Sequence, residues 1–131
     1  MPAARLLFVE DDPDDIELLT KSLQENSIFD FLILDSGSKA LSYLEGLVDG
    51  ELPRLVVVDL NMPGMSGYDV IRKLKSGDRF RGIPIVILTT SQRSALIEEA
   101  IRQGAEGYYH KPVSVKELDD LVLQLYNKSK E

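Results

Sequence analysis

Apolar residues along this chain come in unbroken runs: Leu6-Leu7-Phe8-Val9, Phe31-Leu32-Ile33-Leu34, Leu55-Val56-Val57-Val58 and Ile85-Val86-Ile87-Leu88. Strands covered on both faces read this way, which predicts a parallel sheet between layers of helix. Gly107-Tyr108-Tyr109-His110 is expected to add a fifth strand. The intervening segments have helical spacing. The first opens with Asp12 as cap and Pro13 in the first turn, then carries Ile16, Leu19 and Leu23 on one face. The second shows Ala40, Leu41, Leu44 and Val48. The third begins at Ser66-Gly67-Tyr68-Asp69, a capping-box pattern, and carries Val70, Ile71 and Leu74. The fourth carries Leu96, Ile97, Ala100 and Ile101 and ends at Gly104. The fifth opens with a second capping-box pattern, Ser114 to Glu117, before Leu118, Leu121, Val122 and Leu125. Five strand–helix alternations predict an α/β fold, a doubly wound three-layer domain with right-handed crossovers.

Composition narrows the class. The chain has 131 residues, which suits one domain. It has no cysteine, which excludes disulfides, thiolate zinc sites and cysteine nucleophiles. Its net charge of −7 repels phosphate backbones, so no nucleic-acid partner is expected. No apolar run approaches the roughly 18 residues of a membrane span, and the N-terminus is too short for a signal-peptide core. The expectation is a soluble cytoplasmic domain with no membrane association.

In open parallel sheets, ligands bind beyond the carboxyl ends of the strands. Glu10-Asp11-Asp12 follow the first run, Asp59-Leu60-Asn61-Met62-Pro63-Gly64 the third, Thr89-Thr90-Ser91 the fourth and His110-Lys111-Pro112 the fifth. Singly, each has an ordinary reading. The acids from Asp11 to Asp15 suit a helix start, Asp59 suits a turn, the threonines suit a strand end, and Lys111 suits a solvated surface. Together they converge on one rim. Crowded carboxylates need a cation or a proton among them. Oxygen ligands without histidine or cysteine suit a hard ion such as Mg²⁺. With Lys111 opposite, the arrangement is suited to receiving a phosphoryl group. His110, the only histidine, reads as a structural or surface residue, and Tyr43, Tyr68, Tyr109 and Tyr126 as packing residues.

These segments resemble the receiver domain of bacterial two-component response regulators. The resemblance rests on Val9-Glu10-Asp11-Asp12, the stretch from Val58-Asp59 through Ser66-Gly67, Leu88-Thr89, and Gly107 through Lys111-Pro112, and it covers about residues 5–126. It implies a single receiver domain over residues 1–131, with a flavodoxin-like five-stranded sheet of order 2-1-3-4-5. By the same resemblance Asp59 is the phosphoacceptor. Asp11, Glu10, Asp59 and the backbone carbonyl of Asn61 hold Mg²⁺, Lys111 clamps the phosphoryl group, and Thr89 with Tyr108 forms the switch. Pro112 is expected to follow a cis peptide bond. Thr90 stands where a small residue is usual and is expected to narrow access to Asp59. The Glu-Asp-Asp-Pro-Asp-Asp opening with Thr-Thr-Ser looks most like stand-alone, chemotaxis-regulator-like receivers that partner phytochrome-type kinases.

The implied function is a phosphorylation-driven switch rather than an enzyme with a separate substrate, catalysing only its own phosphorylation and dephosphorylation. A sensor histidine kinase or phosphotransfer protein would donate to Asp59. The output would be contact with a downstream protein through the fourth helix, fifth strand and fifth helix, by a monomer or weak dimer. One alternative is a phosphatase of the haloacid dehalogenase type, which needs a second aspartate two residues after the nucleophile, where this sequence has Asn61. Another is a receiver-like binding module that works without phosphorylation.

Overall fold

The structure is a computed structural model that describes residues 4–60, 62, 66–90 and 93–131. Five strands, β1 (Leu6–Val9), β2 (Phe31–Leu34), β3 (Leu55–Asp59), β4 (Ile85–Thr89) and β5 (Gly107–His110), form one parallel sheet ordered β2-β1-β3-β4-β5. Five helices alternate with them: α1 (Pro13–Glu25), α2 (Gly37–Glu45), α3 (Gly67–Ser76), α4 (Ser94–Gln103) and α5 (Val115–Lys128). The predicted doubly wound α/β sheet of order 2-1-3-4-5 is therefore present.

Strand alternation sorts the core into two layers. Leu7, Val9, Val56, Val58, Ile85 and Ile87 pack with residues of α2, α3 and α4. Leu6, Phe8, Leu55, Val57, Val86 and Leu88 pack with α1 and α5. Both sides of β1, β3 and β4 are buried, which is why their sequences lack polar alternation. The edge strand β2 is only half-buried, and β5 alternates between half-buried and exposed positions.

Side-chain oxygens start four of the helices. Asp12 accepts from the Asp14 and Asp15 amides, Ser36 from Lys39, Ser66 from Asp69 and Ser114 from Glu117. At α3 the capping box closes, Asp69 reaching back to the Ser66 amide. At α5 it does not close as expected, because the Glu117 carboxylate accepts from the Val113 amide, one residue earlier. The second helix also stops short of expectation. It ends at Glu45, and Val48 lies beyond it, extended and 63% exposed, before a 3-10 turn at Asp49–Glu51. Gly104 ends α4 with φ +127°, and a Cβ there would meet Lys75 Cγ at 2.6 Å, so both backbone and space demand glycine.

Among the described residues no helix is long and apolar enough to cross a membrane.

Candidate phosphoryl-accepting site

The winding order reverses between β1 and β3: the chain adds β2 on one side of β1, and β3, β4 and β5 on the other. Val9 pairs with Val58, so Glu10, the residue after β1, and Asp59, the last residue of β3, lie side by side at this switch point. Strand alternation gives both the parity of Leu6, Phe8, Leu55 and Val57, the side covered by α1 and α5. Lys111 shares the parity of Tyr109, which packs in the same layer. Thr89 has the opposite parity, that of Ile85 and Ile87, toward α3 and α4. One strand register thus sends acids and lysine to one side of the rim and the hydroxyl to the other.

Lys111 Nζ is the centre of the site. It lies 2.8 Å from Glu10 Oε1, 3.0 Å from Asp15 Oδ2 and 3.2 Å from Asp59 Oδ2. Glu10 and Asp59 are buried, at 4% and 5% exposure. Burial pushes the Glu10 carboxyl up to about 7; the Lys111 hydrogen bond opposes this, and the neighbouring Asp59 reinforces it. Burial would lower the Lys111 ammonium, but its bonds to Glu10 and Asp15 and the charge of Asp59 outweigh that and raise it. The lysine stays charged because it has three acceptors. Each acid receives only a share of one cation, so Lys111 offsets only part of the effect of burial on Glu10.

Carboxylate oxygens of Glu10, Asp11 and Asp59 lie within 4.8 Å of one another. This all-oxygen set fits a hard divalent cation. Asp11, Asp12, Asp15, Asp59, Thr90 and Lys111 line an open cleft of about 500 Å³ above it. Thr89 is fully buried at the end of β4, and Tyr108 on β5 is 48% exposed. His110 is exposed, in agreement with a surface reading.

The structure brings together Glu10, Asp11, Asp59 and Lys111 as the sequence predicts. The Asn61 carbonyl, and Ser91 beside the threonines, lie outside the described residues. The cis bond before Pro112 is corrected: no described peptide bond is cis, so Lys111–Pro112 is trans. Trans is the intrinsically favoured isomer by about 0.5–1 kcal/mol, and from it Lys111 makes all three carboxylate contacts. Asp15 was the residue missed, since an acid in a first helical turn already has a reason to be there. Its signal was its place in the first turn of the helix that follows the acidic strand end. Asp15 is the third residue of α1, in the turn that opens at the rim, close enough for Lys111 to reach it.

The family model described as response regulator receiver domain matches residues 6–123. The chain is 34% identical to two-component response regulator ARR8 of Arabidopsis thaliana, over 88% of this chain and 58% of that protein. It thus spans little more than half the length of that relative. The phosphorylated cyanobacterial phytochrome response regulator RcpA is similar in structure, with a TM-score of 0.83 at 25% identity, covering 95% of this chain and 92% of that one. The Mn(2+)-bound form of response regulator Rcp1 gives 0.78 at 28% identity, covering 93% and 91%.

Proposed function

Because this chain belongs to the response regulator receiver domain family, a family of signalling domains, we propose that it switches by accepting a phosphoryl group on Asp59. The observation that carries this reading is the buried Asp59 carboxylate held 3.2 Å from Lys111 Nζ, with an oxygen within 4.8 Å of Glu10 and Asp11 oxygens. A bound Mg²⁺ would supply charge neutralisation for the incoming phosphoryl oxygens, as the Mn(2+)-bound relative suggests. Glu10, Asp11 and Asp59, with the Asn61 carbonyl, are its ligands in this reading.

An Asp59 oxygen attacks the phosphorus of a phosphohistidine on a sensor kinase or phosphotransfer protein. The P–N bond breaks, its electron pair leaves on the imidazole, and a P–O bond forms on Asp59. Lys111 gives up part of its contact with Asp59 and pairs with a phosphoryl oxygen. Thr89, at the end of the neighbouring strand, donates its hydroxyl to another. Tyr108, half in solvent, turns inward as Thr89 leaves its place. Later attack by water returns Asp59 and inorganic phosphate, through the cleft that Thr90 helps line. The similarity to RcpA supports a phytochrome-type kinase as donor, and the α4–β5–α5 face is the proposed surface for a downstream protein. Asn61 in place of a second aspartate disfavours the phosphatase alternative.

Acetyl phosphate with Mg²⁺ should add one labile phosphoryl group, seen by intact mass. Asp59→Asn should abolish the adduct. An adduct that persists in that variant would refute the assignment.

A further inference from the structure

Helix α4 stands apart from the other four in how it starts. Asp12, Ser36, Ser66 and Ser114 each give a helix N-terminus a side-chain oxygen, whereas Arg93 at the N-cap of α4 makes no side-chain cap bond. The first turn of α4 also has no acid to complement the helix dipole. What reaches that turn is a residue of α3. The Tyr68 hydroxyl donates to the Leu96 carbonyl at 2.9 Å, joining the second residue of α3 to the third residue of α4. A carbonyl has two lone pairs, so Leu96 can serve Tyr68 while it serves its own helix. Burial and the nearby Glu99 charge raise the Tyr68 phenol, which keeps it protonated and a donor. At its other end Tyr68 follows Gly67, whose amide reaches the Leu60 carbonyl at 3.4 Å, directly beyond Asp59. We propose that Tyr68 is a positioning residue: its hydroxyl anchors the first turn of α4 to the segment that carries Asp59, so that α4 follows changes at the site through this bond as well as through Thr89. The coupling part of the proposal rests on the receiver reading; the anchoring part does not.

Tyr68→Phe keeps the ring, which packs against the α2–α3–α4 core layer, and removes only the donor. In the unphosphorylated protein, amide hydrogen exchange at Ile97–Ala100 should rise about fivefold, the population change that a net hydrogen bond of about 1 kcal/mol supports. Exchange at Leu121–Leu125 in α5 should not change. With acetyl phosphate and Mg²⁺, Tyr68→Phe should accept as much phosphate as wild type. Its phosphorylation-induced amide shifts across Ile97–Ala100 should fall to less than half of the wild-type changes. A variant with wild-type exchange and wild-type shift changes overturns the proposal, and raised exchange with undiminished shift changes overturns the coupling. If neither protein takes up phosphate, the receiver reading fails and the exchange ratio alone decides the anchor.

Discussion

Gly67→Ala perturbs the site without touching a charged group. A Cβ on Gly67 would lie 2.5 Å from the Asp59 carbonyl oxygen, 2.8 Å from Leu60 Cα and 3.1 Å from the Asp59 carbonyl carbon. All three obstacles are backbone, so no side chain can swing aside. Ordinary contact starts near 3.4 Å, so β3 and the start of α3 must part by about 0.9 Å at the closest pair. Overpacking of this kind costs roughly 1–3 kcal/mol; with rigid backbone on both sides, about 2–3 kcal/mol is expected. At a urea slope of about 1–3 kcal/mol/M, the unfolding midpoint should fall by about 0.7–3 M.

The nearest of the displaced atoms belongs to Asp59, the proposed phosphoacceptor. A misplacement of about 1 Å costs on the order of a hundredfold where chemistry depends on position, so phosphorylation by acetyl phosphate should slow by about that factor. Urea denaturation and time-resolved intact mass measure the two effects separately. Gly77→Ala is the control: nothing lies within 4 Å of a Cβ there, and its φ of −105° suits any residue. That change should be neutral or stabilising by up to about 1 kcal/mol. If Gly67→Ala stays within about 0.5 kcal/mol of wild type, the close approach is not what requires glycine. If stability falls while the phosphorylation rate holds, the strain relaxes away from Asp59 and the positioning argument fails.

Two further outcomes follow from the charges. Lys111→Met removes the one cation shared by Glu10, Asp15 and Asp59, so in chelator at pH 8 it should cost about 3 kcal/mol in urea denaturation, with much of the loss recovered on adding Mg²⁺; unchanged stability would contradict the compensation argument. Glu10, raised from 4.5 to about 7, binds more protons folded than unfolded, so its contribution is fully present below pH 4.5 and is lost as pH rises through about 7 in the metal-free protein. Because the ligand form is the carboxylate, Mg²⁺ affinity should instead rise about tenfold between pH 6 and 8, with proton release visible by calorimetry in two buffers; a flat profile would place the metal away from Glu10.

Much of this was legible in the sequence because burial on both faces leaves a strand no polar positions to disguise it. The runs ending at Val58 and Leu88 each continue one residue further as strand, to Asp59 and Thr89. The ladder is a backbone property and does not stop where hydrophobicity does. Val48 misled for the converse reason: its spacing continues the α2 stripe, but the helix has already ended before it. Spacing reports a face only while the backbone stays helical. Asp15 and Tyr68 were hidden differently. Each has an adequate local explanation, as a first-turn acid and as a packing ring, and only the fold shows the partner across a gap of 96 residues to Lys111 and 28 to Leu96.

The charge balance at the rim ties the pieces together. Three carboxylates, on Glu10, Asp15 and Asp59, hold one ammonium, and a fourth, on Asp11, lies beside Glu10 and Asp59. Fully ionised, these five groups sum to a net charge of −3 in a partly buried cleft. Glu10 relieves one by keeping its proton to about pH 7. A divalent cation would relieve two and release that proton. A site optimised for stability alone would replace an acid with an apolar residue, since an uncompensated buried charge is costly. This chain retains all four, and stability is commonly sacrificed in this way where a site must do chemistry. In the proposed reading, a divalent cation would meet this demand for positive charge, and with Lys111 it would offer the phosphoryl oxygens a setting in which a dianion can sit beside acids. The lysine that holds the resting cluster together would then be the one in position to move with the phosphoryl group.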